Sequence, residues 1–205
     1  MSNQKSVFLE THNINNRAGG LGTFNYELIK GFSELNFDEM RLTLNASDTK
    51  LLENEFGKKF DYNKYSSLSR LEFFRIRKNY DLWHSVNQNT KVEPFRCKNY
   101  LLTIHDVNFT EEVSSDINHK RNKLFIKKLN KATAITYISE FSKKQAHKYF
   151  TIPNVPEYII HNGNPISSFS IIMPVKVILL YGMVLGISVG ICLVISYFPK
   201  VGRLL

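Results

Sequence analysis

The chain reads as an α/β protein built on a Rossmann-like parallel sheet with helices on both faces, and three observations predict it. Short apolar runs alternate with longer segments of helical period along the first 165 residues. The first run, Val7-Phe8-Leu9, leads through Ala18-Gly19-Gly20-Leu21-Gly22-Thr23 into an amphipathic segment, the layout of a strand-to-helix junction whose bare amides face a helix's positive end. A later run, Leu101-Leu102-Thr103-Ile104, stops abruptly at His105-Asp106. Ligands of open parallel sheets gather at such carboxyl ends of strands.

Taken in order, a first strand is expected over 6–11 and a helix over 21–35, where Phe24, Leu28, Ile29, Phe32 and Leu35 recur at three- and four-residue steps. Met40, Leu42 and Leu44 alternate with Arg41 and Thr43 as a second strand, followed by a short helix over 49–56. Residues 60–69, with Asp61, Asn63 and two tyrosines, read as a loop. Leu71, Phe73, Phe74 and Ile76 interleave with Arg70, Arg75, Arg77 and Lys78; this mimics a basic-aromatic nucleic-acid stripe, but a helix burying one face is the expectation. Strands follow over 81–86 and 100–105, then a basic helix over 116–131 and a strand over 134–138. Ser139 is placed to cap a helix over 140–150. Pro153 and Pro156 break helical structure before a last strand over 158–160, and the turn His161-Asn162-Gly163-Asn164-Pro165 closes the domain.

The formal charge of +9, from 27 basic and 18 acidic residues, does not by itself indicate nucleic acid, because the lysines are scattered. The densest cluster, Lys120, Arg121, Lys123, Lys127 and Lys128, reads as the solvated face of one helix. Modest positive charge also suits a phosphorylated substrate or an anionic membrane surface. Cys97 and Cys192 offer neither a disulfide framework nor a metal spacing, and are expected as free thiols in a reducing compartment. The polar start reaches Glu10 too soon for the apolar region of a signal peptide, so the expected location is cytoplasmic.

The tail over 166–205 differs from the domain over 1–165: no Asp or Glu occurs beyond Glu157, and residues 177–198 carry no charge. That length meets the requirement for spanning a hydrocarbon core, with Gly182, Gly186 and Gly190 at four-residue intervals. A hydrophobic, candidate transmembrane helix over 177–198 is expected. Three explanations compete for it: a membrane anchor, a buried strand and helix of the core, and a terminus foreign to the ancestral protein.

Two readings of the glycine stretch stay open, a phosphate cradle and a turn whose glycines only relieve φ strain. Two fingerprints are excluded: counted from Gly20, GxGxxG requires a third glycine where Asn25 stands, and no Gly-Lys-Ser/Thr follows. His105 and Asp106 likewise fit either a ligand mouth or a pair that caps the next turn.

Four pieces in order, Gly19-Gly20-Leu21-Gly22-Thr23 into Tyr26-Glu27-Leu28, Thr103-Ile104-His105-Asp106, Tyr137-Ile138-Ser139-Glu140-Phe141-Ser142-Lys143-Lys144 and Ile160-His161-Asn162-Gly163, resemble the N-terminal half of a GT-B glycosyltransferase of the family 4 type. The resemblance covers about 7–165. It implies transfer of a sugar from a nucleotide-activated donor to a carbohydrate or lipid-linked acceptor, with no metal and no cofactor beyond the nucleotide sugar. The amides of Gly19, Gly20 and Gly22 would face the donor diphosphate or the acceptor, His105 would touch the transferred sugar as the catalytic residue, and Thr23, Asp106, Asn162 and Gly163 would complete the substrate contacts. The family pattern continues into a second domain holding an Arg and Lys pair and two glutamates, whereas this chain has no acidic residue there. The expectation is a truncated or frame-shifted member, the acceptor-side half, inactive alone. The competing reading is a non-catalytic, membrane-attached Rossmann-like binding module. A dinucleotide-dependent oxidoreductase is disfavoured by the absent third glycine and by the lack of a ribose-binding acid at the end of the second strand.

Overall fold

The computed structural model describes residues 4–36, 38–162 and 172–186. Seven strands, β1 (Lys5–Leu9), β2 (Met40–Ala46), β3 (Asp61–Lys64), β4 (Leu82–Ser85), β5 (Asn99–Ile104), β6 (Ala134–Tyr137) and β7 (Glu157–Ile159), form one sheet in the order β3-β2-β1-β4-β5-β6-β7. Every pairing is parallel. The helices are α1 (Gly20–Glu34), α2 (Thr49–Phe56), the single turn α3 (Phe109–Glu112), α4 (Lys120–Leu129), α5 (Glu140–Tyr149) and α6 (Ile172–Leu185). The Rossmann-like α/β architecture read from the sequence is the one observed.

Side chains of a strand alternate between faces, and Val7-Phe8-Leu9 divides accordingly between two cores. Val7 and Leu9 join Leu42, Leu44 and Leu101 beneath Leu28, Ile29 and Phe32 of α1, Leu52 of α2 and Tyr181 of α6. Phe8 joins Trp83, Tyr100, Leu102 and Ile135 beneath Phe125 and Leu129 of α4 and Ala146 of α5. A sheet covered on both faces needs apolar residues at consecutive strand positions, which is why its strands read as short unbroken runs. Local signals set the helix ends. Asp48 accepts from the Leu51 amide at 3.0 Å, Ser139 from the Ser142 amide at 3.0 Å, and Gly57 takes a φ of 65° after α2.

Four expectations need correction. Residues 61–64 form an edge strand, not a loop; the tyrosine and polar side chains hid it, and the ladder to β2 together with Arg41 donating to Asp61 Oδ1 at 2.8 and 2.9 Å holds it. The basic helix begins at Lys120 rather than 116, because Asp116 Oδ1 accepts the Asn118 amide and its carbonyl the His119 amide, folding 116–119 as a turn. Residues 70–78 bury no helix face. They contain a short 3-10 turn, Glu72–Phe74, with Phe73 86% exposed, because Tyr80 and Trp83 already close the core around Phe8.

The fourth correction concerns the tail. Its described helix, α6, starts five residues before the expected span and stops where Gly186 takes a φ of 63°, while 187–198 lie outside the described residues. Among the described residues no helix is long and apolar enough to cross a membrane. Instead Val177, Ile178, Leu180 and Tyr181 are buried in the core shared with α1, as in the buried-core alternative. Tyr181 Oη lies 2.5 Å from Nδ1 of the fully buried His84, whose Nε2 lies 2.7 Å from Thr103 Oγ1, itself 2.7 Å from Thr136 Oγ1. A neutral imidazole serves one hydroxyl as donor and the other as acceptor.

Burial, with a smaller contribution from His105, pushes the His84 pKa down from 6.5 to about 3. Between these values the unfolded chain binds a proton at this site that the folded chain does not, so stability present above pH 6.5 is lost as pH falls toward 3. Denaturant titrations between pH 7 and 4.5 are expected to show this loss, and His84→Gln to flatten the dependence by up to about 1.4 kcal/mol per pH unit.

Candidate functional site

Because β1 pairs with β2 on one side and β4 on the other, the crossovers diverge there, at the edge formed by the carboxyl ends of β1, β4 and β5 where open parallel sheets ordinarily take a ligand. The segments after these strands form the rim of that edge. After β1 the chain passes Glu10 and Thr11, a 3-10 turn at His12–Asn15, and the glycine stretch into α1.

None of the stretch's glycines is needed for φ: among the described residues only Gly57 and Gly186 have positive values. Close approach explains Gly22, where a Cβ would lie 1.9 Å from the Asn16 carbonyl oxygen. Gly19 is the N-cap of α1 with no side-chain cap, and a Cβ on Gly20 would meet nothing within 4 Å. Gly20 therefore opens the first turn of α1 outward, with uncapped amides at the helix's positive end. Thr23 does not face the rim in the expected way, because its hydroxyl donates to the Arg17 carbonyl at 2.9 Å and braces the loop.

His105 sits at the same rim. The Phe24 ring of α1 meets its imidazole edge-on at 4.7 Å between centroids, which ties the glycine stretch to the strand end. Its Nε2 is 2.9 Å from the Val86 carbonyl, which only accepts, so Nε2 carries the proton and Nδ1 is the acceptor. Burial holds the imidazole below the ordinary histidine range, against the opposing pull of the Val86 carbonyl and Asp106. The His105 carbonyl is engaged within the fold, accepting the Ser142 hydroxyl at 2.6 Å. Gln88 clamps the strand end by accepting the His105 amide at 3.1 Å and donating to the Asp106 carbonyl at 2.7 Å.

Asp106 acts as the turn reading predicts, its Oδ1 accepting the Asn108 amide at 3.3 Å. Asn162 is exposed beyond β7, two strands away from β5, and Gly163 lies outside the described residues. The geometry thus sets Gly20 and His105 on one rim, whereas the Gly19 amide is spent on the Asn16 carbonyl at 3.0 Å, Gly22 is buried against the Asn16 backbone, and Thr23 and Asp106 brace local turns.

Sequence reasoning missed the partners around them. Glu10 is buried, and its Oε1 lies 2.5 Å from His12 Nδ1 and 3.2 Å from the His12 amide. The His12 ring stacks on Tyr65 at 4.7 Å. The signal was available, since Glu10 follows the apolar run of β1 just as His105 follows that of β5.

On the other face Lys128 of α4 is buried, with Nζ 3.0 Å from Glu93 Oε1 and 3.1 Å from Ser85 Oγ at the end of β4. Lys131 Nζ reaches Glu93 Oε2 at 2.8 Å and the Tyr100 hydroxyl donates to Oε1 at 2.9 Å. Burial pushes the Glu93 carboxyl up, but the two lysines outweigh it and hold it below its ordinary range. Its stabilising contribution is thus present above the usual carboxylate range and lost as pH falls through its lowered value.

Between the strands and α6 a cavity of about 10 Å³, lined by Phe24, His84, Thr103, Thr136 and Ile160 among others, has room for about one water. No group of three or more His, Cys, Asp or Glu among the described residues could hold a metal ion. Compared with known proteins, the chain matches no family model, and no curated protein matches it.

Two substitutions separate packing from ligand contact. Gly22→Ala is expected to destabilise by about 2–3 kcal/mol, because backbone blocks its Cβ, whereas Gly20→Ala stays within about 0.5 kcal/mol; urea midpoints check both. Glu93→Gln, which leaves Lys128 buried opposite a neutral partner, is expected to cost about 3–5 kcal/mol by the same measurement.

Proposed function

We propose that this chain forms the acceptor-side wall of a nucleotide-sugar glycosyltransferase cleft, with the rim of α1 and β5 contacting diphosphate and sugar. The observation that carries the reading is the Phe24–His105 contact, which sets the open turn at Gly20 and an imidazole of fixed tautomer on one rim. As a glycosidic bond to a nucleotide breaks, negative charge builds on the leaving diphosphate. Oriented amides that meet it stabilise the transition state more than the ground state. His105 Nδ1, an acceptor held by its Nε2–H bond, suits a sugar hydroxyl, and this contact needs no metal.

One wall does not supply full catalysis. Holding donor and acceptor at reactive distance is worth about 7–11 kcal/mol of the barrier, and both sides of a cleft provide it. The described residues form a single sheet. The second reading, a binding module without catalysis, is favoured by the engagement of Thr23 and Asp106 in local turns.

Titrating the chain with pyrophosphate and nucleoside diphosphates, followed by backbone amide shifts, is expected to move Gly20, Leu21 and His105, with the response lost in Gly20→Asp and reduced in His105→Ala. Incubation with a panel of nucleotide sugars is expected to give turnover only when a donor-binding domain of the family is added. Turnover by the chain alone contradicts the one-wall reading, and an absence of amide shifts contradicts the site.

A further inference from the structure

The segments between β3 and β4 and between β4 and β5 expose what a folded domain ordinarily buries. Phe73 is 86% exposed, while Leu68, Leu71, Phe74 and Phe95 are each about half exposed. Backbone bonds hold these turns side by side: the Leu71 amide bonds the Leu68 carbonyl, the Phe74 amide the Leu71 carbonyl, and the Phe95 amide the Ile76 carbonyl. Exposed Arg70, Arg77, Lys78 and Arg96 flank them, and the guanidiniums of Arg77 and Arg96 lie 5.1 and 5.6 Å from the Phe95 ring centroid. The acidic residue within these turns, Glu72, is bonded to Arg75 at 3.2 Å and approached by Lys127 of α4 at 4.0 Å, so the basic field continues onto that helix.

We propose that this surface docks on an anionic lipid bilayer, the phenylalanines and leucines entering the headgroup boundary and the arginines pairing with lipid phosphates. Charge complementarity selects that occupant. Nucleic acid fits less well: both guanidiniums at Phe95 cover ring surface on which bases stack, and leucine side chains provide no stacking face. The described helix of the tail, α6, does not cover the surface, since α6 packs on the opposite face of the sheet from the core that Ile76 joins. The surface adjoins the proposed rim, because Arg70 lies over Tyr65, on which His12 stacks, so a docked chain holds that rim beside the headgroups. Docking here is independent of the glycosyltransferase reading.

The test is Phe73→Trp in the full chain, with vesicles of phosphatidylcholine alone or mixed with phosphatidylglycerol. Native Trp83 is fully buried against Phe8 and does not report on the surface. The emission gained by the Phe73→Trp variant is expected to shift blue and to be quenched by brominated lipid in the anionic vesicles, and added salt to weaken both. Arg77→Gln and Arg96→Gln are each expected to lower partitioning about fivefold. Phe74→Ser is expected to lower it about tenfold, and Lys50→Gln on α2 to leave it unchanged. Solvent-exposed emission at saturating anionic vesicles overturns the proposal even if the chain sediments with them, since the tail then carries the binding. A blue emission before vesicles are added, showing the surface covered by protein, overturns it, and so does a response to single-stranded RNA in place of vesicles.

Discussion

The pairing of β1 with β2 on one side and β4 on the other is the constraint on which the structure depends. Parallel neighbours need crossovers, and right-handed crossovers running outward in opposite directions must lie on opposite faces. Hence α1 and α2 cover one face and α4 and α5 the other. The segments after β1, β4 and β5 meet where no crossover covers the edge. Gly20, His105 and Glu10 share a rim because of this divergence.

Polar groups beneath that rim are buried in pairs or chains. Glu10 meets His12, Glu93 meets Lys128 and Lys131, and His84 lies between Tyr181 and Thr103. Each would be expensive to bury alone. Together they tie elements distant in sequence, α4 to the end of β4 and α6 to the middle of the sheet, and hold the rim without filling it. The neutrality of His84 and the lowered carboxyl of Glu93 both favour the fold at neutral over acidic pH.

Two stretches that carry large apolar side chains behave in opposite ways. The tail helix α6, whose lack of charge left a membrane anchor and a buried core segment both open, lies partly in the core, where a tyrosine hydroxyl finds a buried imidazole. The stretch around Phe73, read as a buried helix face, stands in solvent beside arginines. Composition measures how much a segment gains by leaving water, but not which neighbour is available to cover it. The Phe8, Tyr80 and Trp83 cluster had already closed the core near Phe73, whereas the sheet face beneath α6 still needed a cover.

The sequence by itself determined the α/β class, the seven-residue strand β2 nearly to its ends, α2 to the residue, and the Ser139 cap, because each rests on local periodicity or a local hydrogen bond. It also marked Gly19, Gly20, Gly22 and His105 as strand-end residues worth placing together. Only the tertiary structure decided that β3, poor in apolar side chains, is a strand, since its ladder partner lies elsewhere in the chain. The same holds for Gly22, whose role is to admit the Asn16 backbone rather than to turn the chain. Glu10 and Lys128 each gained a buried partner for the same reason: a charge's neighbours are set by which strands and helices meet, and that is information no local window contains.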